Sequence, residues 1–192
     1  MGTSWSTAAP WLSSACSPQG EKWSMLSEPR SSTTGTLVNR TQLLKRLDEA
    51  WTALNASYAD LPRAELVEPG VIGAWSIKDI IMHVATWEAE SLAHLPTVLA
   101  GGRPPRYSAL YGGINAFNAL ATERNRNVSV AAAFKHRDET HRRLVDFVRT
   151  IPEAQITTET TVRRRLRLDT WSHYRTHTEA IWKWRRKHEE RS

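Results

Sequence analysis

Apolar residues recur along most of this chain at three- and four-residue steps, the period of a helix with one buried face. Leu43, Leu44, Leu47, Trp51, Leu54 and Tyr58 form one such stripe and predict a helix over Arg40–Tyr58. Asn39 stands in cap position, and Gln42 three residues on completes a capping box. A second stripe is Ile77, Ile80, Ile81, Val84, Trp87, Ser91 and Leu95. It predicts a helix that starts at Ser76, with Asp79 as its capping partner. Glu88 falls inside this stripe and His83 lies on its edge. Pro96 marks the neighbourhood of the end.

Val130, Phe134, Leu144, Val145, Val148 and Ile151 predict a third helix over Val130–Thr150, capped by Ser129. Arg137 and His141 share its stripe, and a polar group there must find partners or line a cavity. The last helix is predicted over Thr170–Lys187, with Asp169 or Thr170 as cap. Its core stripe is read as Trp171, Tyr174, Thr178, Ile181 and Trp182, with His173, His177 and Trp184 on an adjoining flank.

The connections differ in kind. Residues 59–74 hold Pro62, Pro69, Gly70 and Gly73, which break helices. Residues 100–128 open on Gly101-Gly102-Arg103-Pro104-Pro105 and then offer a short helix, with Ile114, Phe117 and Leu120 expected inward. Residues 151–168, rich in Thr and Arg, read as an irregular return with room for a short extended piece. A connection as long as 100–128 is unexpected between antiparallel neighbours. The second and third helices are therefore expected to run in the same direction. The predicted fold is all-α: a four-helix bundle, up-down-down-up, with a long crossover between helices 2 and 3.

Composition sharpens the boundaries. The 192 residues suit one domain, expected over 36–190. Of the first 35 residues 13 are Ser or Thr, and that segment reads as a disordered leader. Trp5, Trp11 and Trp23 are unusual in it, and Met25 offers an alternative start. No run reaches the roughly 18–20 apolar residues of a membrane span, and no secretory signal opens the chain. The single cysteine, Cys16, leaves no internal disulfide, and a cytoplasmic location is expected. The net charge of +6 lies wholly in the C-terminal part: residues 135–192 carry 15 Lys/Arg against 9 Asp/Glu. Its runs at 163–167 and 185–187 read as a solvated loop and a helix end, where cations suit the dipole. No nucleic-acid motif accompanies them, so no nucleic-acid partner is expected.

The candidate chemistry rests on histidine. His173 and His177 stand four apart on one helix face, the spacing that lets a helix chelate a metal. His83 from a facing helix would complete a triad and leave a position for water or substrate. Asp79, one turn before His83, has two readings: the capping box alone, or an acceptor for the second ring N–H of His83. Glu88 is either a general base or a structural carboxylate bonded to Arg137. His141 serves packing or catalysis. Trp87, Tyr174 and Trp184 are either pocket walls or plain core. His94, His136 and His188 are read as solvated.

The residues Gly73-Ala74-Trp75-Ser76-Ile77-Lys78-Asp79, then Ile81 through Glu88 with His83, then His173-Tyr174-Arg175-Thr176-His177, occur in that order. In this the chain resembles the DinB-like superfamily over about Thr36–Lys187, near its ClbS/DfsB-type branch. Asn115-Ala116-Phe117-Asn118-Ala119 resembles the crossover of many members. The resemblance implies an up-down-down-up bundle, a homodimer in many members, and a zinc-, nickel- or manganese-type ion on His83, His173 and His177. It implies a hydrolase or thiol-dependent transferase acting on a small molecule; Glu88 and His141 are candidate catalytic residues by their places on the helix stripes. Its alternatives are a non-catalytic binding module of a stress or resistance system, or a metal-independent ClbS-type hydrolase. The Arg-rich segment 163–167 departs from the Pro/Gly/Trp-rich link of many members.

Overall fold

The computed structural model describes residues 39–190. The expected leader at 1–35 lies outside them. The long helices are α1 (Arg40–Ala56), α2 (Ile77–Leu99), α5 (Val130–Thr150) and α8 (Trp171–Glu189). Shorter pieces lie between: a 3-10 turn (Glu65–Val67), α3 (Tyr107–Tyr111), α4 (Ile114–Asn125), α6 (Ala154–Thr157) and α7 (Thr161–Asp169). This is the all-helical bundle that the stripes predict. Among the described residues no helix is long and apolar enough to cross a membrane.

Both predicted capping boxes form. The Asn39 side chain accepts from the Gln42 N–H at 2.9 Å, and Gln42 Oε1 accepts from the Asn39 N–H at 3.1 Å. Asp79 accepts from both the backbone N–H and the hydroxyl of Ser76, at 2.9 and 2.7 Å. Each box satisfies donors that a helix start leaves free.

Helix α2 is the axis of the packing. Ile77, Ile80, Ile81, Val84 and Leu95 are each at most 1% exposed. Burying one such side chain contributes about 1.5–3 kcal/mol. Its first half packs with Ala133, Phe134, Tyr174 and Ile181. Leu95, near its end, packs with Leu144, Val148 and Ile151 at the end of α5. Helices α2 and α5 thus run side by side in the same sense. Leu43 from the start of α1 joins the cluster at the end of α5. At the other end Arg185 of α8 pairs with Asp60, just beyond α1, at 2.7 Å.

Four expectations need correction. The return 151–168 is helical, because Val162 and Leu166 bury one face of α7 at 1% exposure while the arginines take the rest. In the crossover only Phe117 of the three expected residues turns inward; Ile114 and Leu120 are 50% and 38% exposed. In α8 the buried residues are Tyr174, His177, Ile181 and Trp184. Trp182 is surface-exposed with the Arg185 guanidinium 4.6 Å from its ring centre. His94 and His188 are half-buried rather than solvated: His94 meets Glu90 at 3.2 Å and His188 stacks on Trp184. His136 is exposed, as expected.

The crossover needs glycine at one point. Gly112 and Gly113, with φ of 82° and 126°, reverse the chain between α3 and α4 in backbone regions that side chains rarely enter.

Candidate metal centre

Helix α8 turns its start toward the middle of α2, and three imidazoles meet there. His83 Nε2 lies 3.0 Å from His173 Nε2, and His177 Nε2 lies 2.9 Å from the same atom. The three candidate ligand nitrogens all fall within 4.8 Å of one another. His83 is 8% exposed and His177 1%. Burial holds all three rings neutral: it pushes His83 and His177 well below the ordinary histidine range and His173 down to about 4. Proximity of the rings adds to the shift on His83 and His177, while the Asp169 carbonyl opposes it on His173.

Neutral rings cannot satisfy this geometry among themselves. His173 Nε2 faces two other Nε2 atoms, yet it carries either one hydrogen or one lone pair. It bonds one neighbour and leaves the other contact unmade. His177 Nδ1 is also buried without a hydrogen-bond partner among the described residues. A divalent cation accepts all three lone pairs at once. Nitrogens bound at about 2.0–2.1 Å to one ion sit close to the separations seen here. The donor set therefore fits a zinc-, nickel- or manganese-type ion, with imidazole suiting the first two best.

The surroundings are aromatic on one side. Trp75 sits 4.7 Å from the His83 ring, and Trp87 6.3 and 6.4 Å from His83 and His173, centre to centre. Trp87 also donates its indole N–H to Asn118 of α4 at 3.1 Å, which pins the crossover over the centre. A narrow gap between α2 and α4 reaches His83, lined by Asp79, Met82, Thr86, Ala121, Thr122 and Asn125. Trp75 was not among the expected wall residues. Its signal is its place directly before the Ser76 cap, where an apolar side chain folds back onto the helix.

The other expected site residues divide. Asp79 is engaged by Ser76 in the capping box, and the contacts of its carboxylate are with Ser76 and Lys78. Glu88 and His141 meet each other instead of the histidine centre: His141 Nδ1 lies 2.8 Å from Glu88 Oε1. The same oxygen accepts from the Tyr174 hydroxyl. The expected Glu88–Arg137 bond is absent from these contacts; Arg137 donates to Tyr58 and Asp138. Glu88 is wholly enclosed. Tyr174 is fully buried on the Trp51 side, and Trp184 lies against His188, so neither stands with Trp87 at the three rings.

A polar cluster that the sequence reading missed joins α2 to α7. Asp169 accepts from Ser91 Oγ at 2.6 Å and from Arg165 Nε at 2.9 Å. The Tyr107 hydroxyl reaches Glu90 at 2.5 Å. Ser91 and Asp169 looked like a stripe position and a cap, and no local signal joins residues 78 apart.

An all-helical bundle with buried histidines converging between its second and last long helices defines a class of small helical proteins with a candidate metal centre. The chain belongs to the DinB superfamily, whose family model matches residues 46–182. Among solved structures it is similar to the sibling lethal factor precursor DfsB, at 14% identity and TM-score 0.65, over 80% of this chain and 98% of that one. It is similar to the colibactin self-resistance protein ClbS, solved in complex with a dsDNA, at 13% identity and TM-score 0.64, over 76% and 94% of the two chains. An uncharacterised protein of Escherichia coli UTI89 gives 13% identity and TM-score 0.65, over 79% and 95%. At these identities the likeness is one of fold. No curated protein matches.

Proposed function

We propose that the protein is a metal-dependent enzyme of the DinB superfamily, acting as a hydrolase or thiol-dependent transferase on a small molecule. The observation that carries this reading is the meeting of His83, His173 and His177 at 2.9–3.0 Å around His173. These three residues would hold one divalent ion. The chemistry such an ion supplies is Lewis-acid polarisation of a substrate oxygen or sulfur. The chain's own part is to keep three neutral imidazoles converged and to shield them with Trp75 and Trp87. Glu88 is enclosed, so in this reading it does not touch substrate, and His141 works through it rather than on the substrate. The location that fits is the cytoplasm.

Metal analysis of the purified protein tests the centre, with the His173→Ala/His177→Ala double variant beside it. About one ion per chain is expected in the first and none in the second. Equal, near-zero metal in both defeats the proposal. Turnover by the metal-loaded protein against thiol-conjugation and hydrolase substrates tests the enzyme.

A second reading has its own observation. The α2–α4 gap is narrow and its one carboxylate, Asp79, is engaged in a cap. That favours a non-catalytic metal- or small-molecule-binding module. Metal binding with no turnover on the same panels would select it. Nucleic acid is part of neither reading, and the dsDNA seen with ClbS is a property of that protein. A dsDNA titration showing tight binding that falls steeply with salt would bring it in.

A further inference from the structure

We propose that Glu88 is a positioning residue for the histidine centre, acting through Tyr174. The inference rests on the metal-binding reading above. Glu88 lies on α2 five residues beyond His83, and Tyr174 lies on α8 directly between His173 and His177. The Tyr174 hydroxyl donates to Glu88 Oε1, so the two ligand-bearing helices are tied by one hydrogen bond on the face turned from the ligands toward Trp51 and His141. His141 of α5 donates to the same oxygen at 2.8 Å. Its ring in turn stacks on Trp51 of α1, centre to centre at 3.6 Å with 1° between the planes. One carboxylate oxygen of α2 therefore takes contacts from α8 and α5, and α1 is reached through the His141 ring.

Adjacent residues on a helix are about 100° apart around its axis. Fixing the far end of Tyr174 against α2 therefore sets both the rotation and the height of α8. Those two quantities place His173 and His177 opposite His83. Apolar packing alone tolerates small slides between helices. A hydrogen bond to a buried carboxylate is directional and holds to tenths of an ångström, the tolerance that a ligand set demands. The arrangement costs desolvation: Glu88 is wholly enclosed, and its Oε2 has no hydrogen-bond partner among the described residues. For shape alone, an apolar side chain of like volume would serve as well or better.

The test is Co²⁺ titration of the full chain by visible absorption, beside Tyr174→Phe, Glu88→Leu and Glu88→Gln. Thermal unfolding of each protein in chelator supplies the stability control. Tyr174→Phe keeps the ring's packing and removes the tie. It is expected to weaken Co²⁺ binding about 10-fold, equivalent to about 1.4 kcal/mol, and to change the cobalt band shape. Glu88→Leu should do the same, and Glu88→Gln, which keeps an acceptor oxygen, should recover most of the affinity. A purely structural role lowers the unfolding temperature of metal-free protein but leaves affinity and spectrum at wild-type values, and that result overturns the inference. Should Glu88→Leu not fold, Tyr174→Phe and Glu88→Gln decide the matter. Absence of Co²⁺ binding by the wild type is a different failure: it removes the metal reading and this inference with it.

Discussion

His83 Nε2 and His173 Nε2 lie 3.0 Å apart, although 90 residues of chain separate them. Two neutral imidazoles can share such a contact through one hydrogen. The third ring, with His177 Nε2 at 2.9 Å from the same atom, cannot join without a cation. Ion binding should therefore stabilise the fold. At a free concentration of about 100 times Kd the gain is about 2.7 kcal/mol, worth roughly 5–10 °C in Tm for a domain of this size. Differential scanning with Zn²⁺ or Ni²⁺, then with chelator, measures it. The His173→Ala/His177→Ala variant should show no metal-dependent rise.

Acid should unfold the metal-free protein through the same residues. Each of the three rings has its affinity for a proton lowered by burial, His173 from 6.5 to about 4. In the unfolded chain they take up protons near the ordinary value. Between that value and the lowered one the unfolded state binds more protons, so stability rises with pH. The contribution is fully present above about pH 6.5 and is lost as pH falls toward 4, with His173 alone worth roughly 3 kcal/mol. Urea unfolding in chelator at pH 7, 6 and 5 reads the slope. A flat profile would contradict it, and His173→Gln should make the profile shallower.

The helical frame was legible because α1, α2 and α5 carry ordinary stripes with capping boxes or a serine cap at their starts. The errors share a cause: apolarity was taken as the marker of the inside. In α8 it favoured Trp182 and put His177 on a flank. The observed helix buries His177 and Trp184, because the histidines have partners across the bundle. In 163–167 four arginines hid the four-residue step from Val162 to Leu166. The triad itself was legible from its i, i+4 pair and an edge histidine on a strong stripe. What Glu88 bonds was not, since His141 and Tyr174 lie 53 and 86 residues away and no pattern ranks them above Arg137.

Helix α4 should depend on its side-chain bond to Trp87 of α2. Trp87 donates its indole N–H to Asn118 Oδ1 at 3.1 Å, while Ile114 and Leu120 face outward and give α4 little burial of its own. Asn118→Leu removes the acceptor and leaves a largely buried donor, at a cost of about 1–3 kcal/mol. Hydrogen exchange should speed up over Ile114–Asn125 more than over α2 or α5. Equal changes throughout the chain would mean that the bond supports the whole bundle instead.

The arginines of α7 should fall into two kinds that charge counting cannot separate. Arg165 Nε lies 2.9 Å from Asp169 Oδ2, and Ser91 Oγ donates to the same oxygen at 2.6 Å. Burial pushes the Asp169 carboxyl up, against the pull of Arg165 and Ser91. Arg165→Ala strands that carboxylate, and breaking such a pair from one side costs about 3 kcal/mol. Arg164, exposed on the same helix, should cost no more than about 0.5 kcal/mol when changed to alanine. Removing both partners, Arg165→Ala with Asp169→Ala, should cost less than the two single changes added together, because neither charge is then left alone. Chemical unfolding of the four proteins closes the cycle. Additive costs would mean that Asp169 is held by Ser91, with Arg165 a bystander.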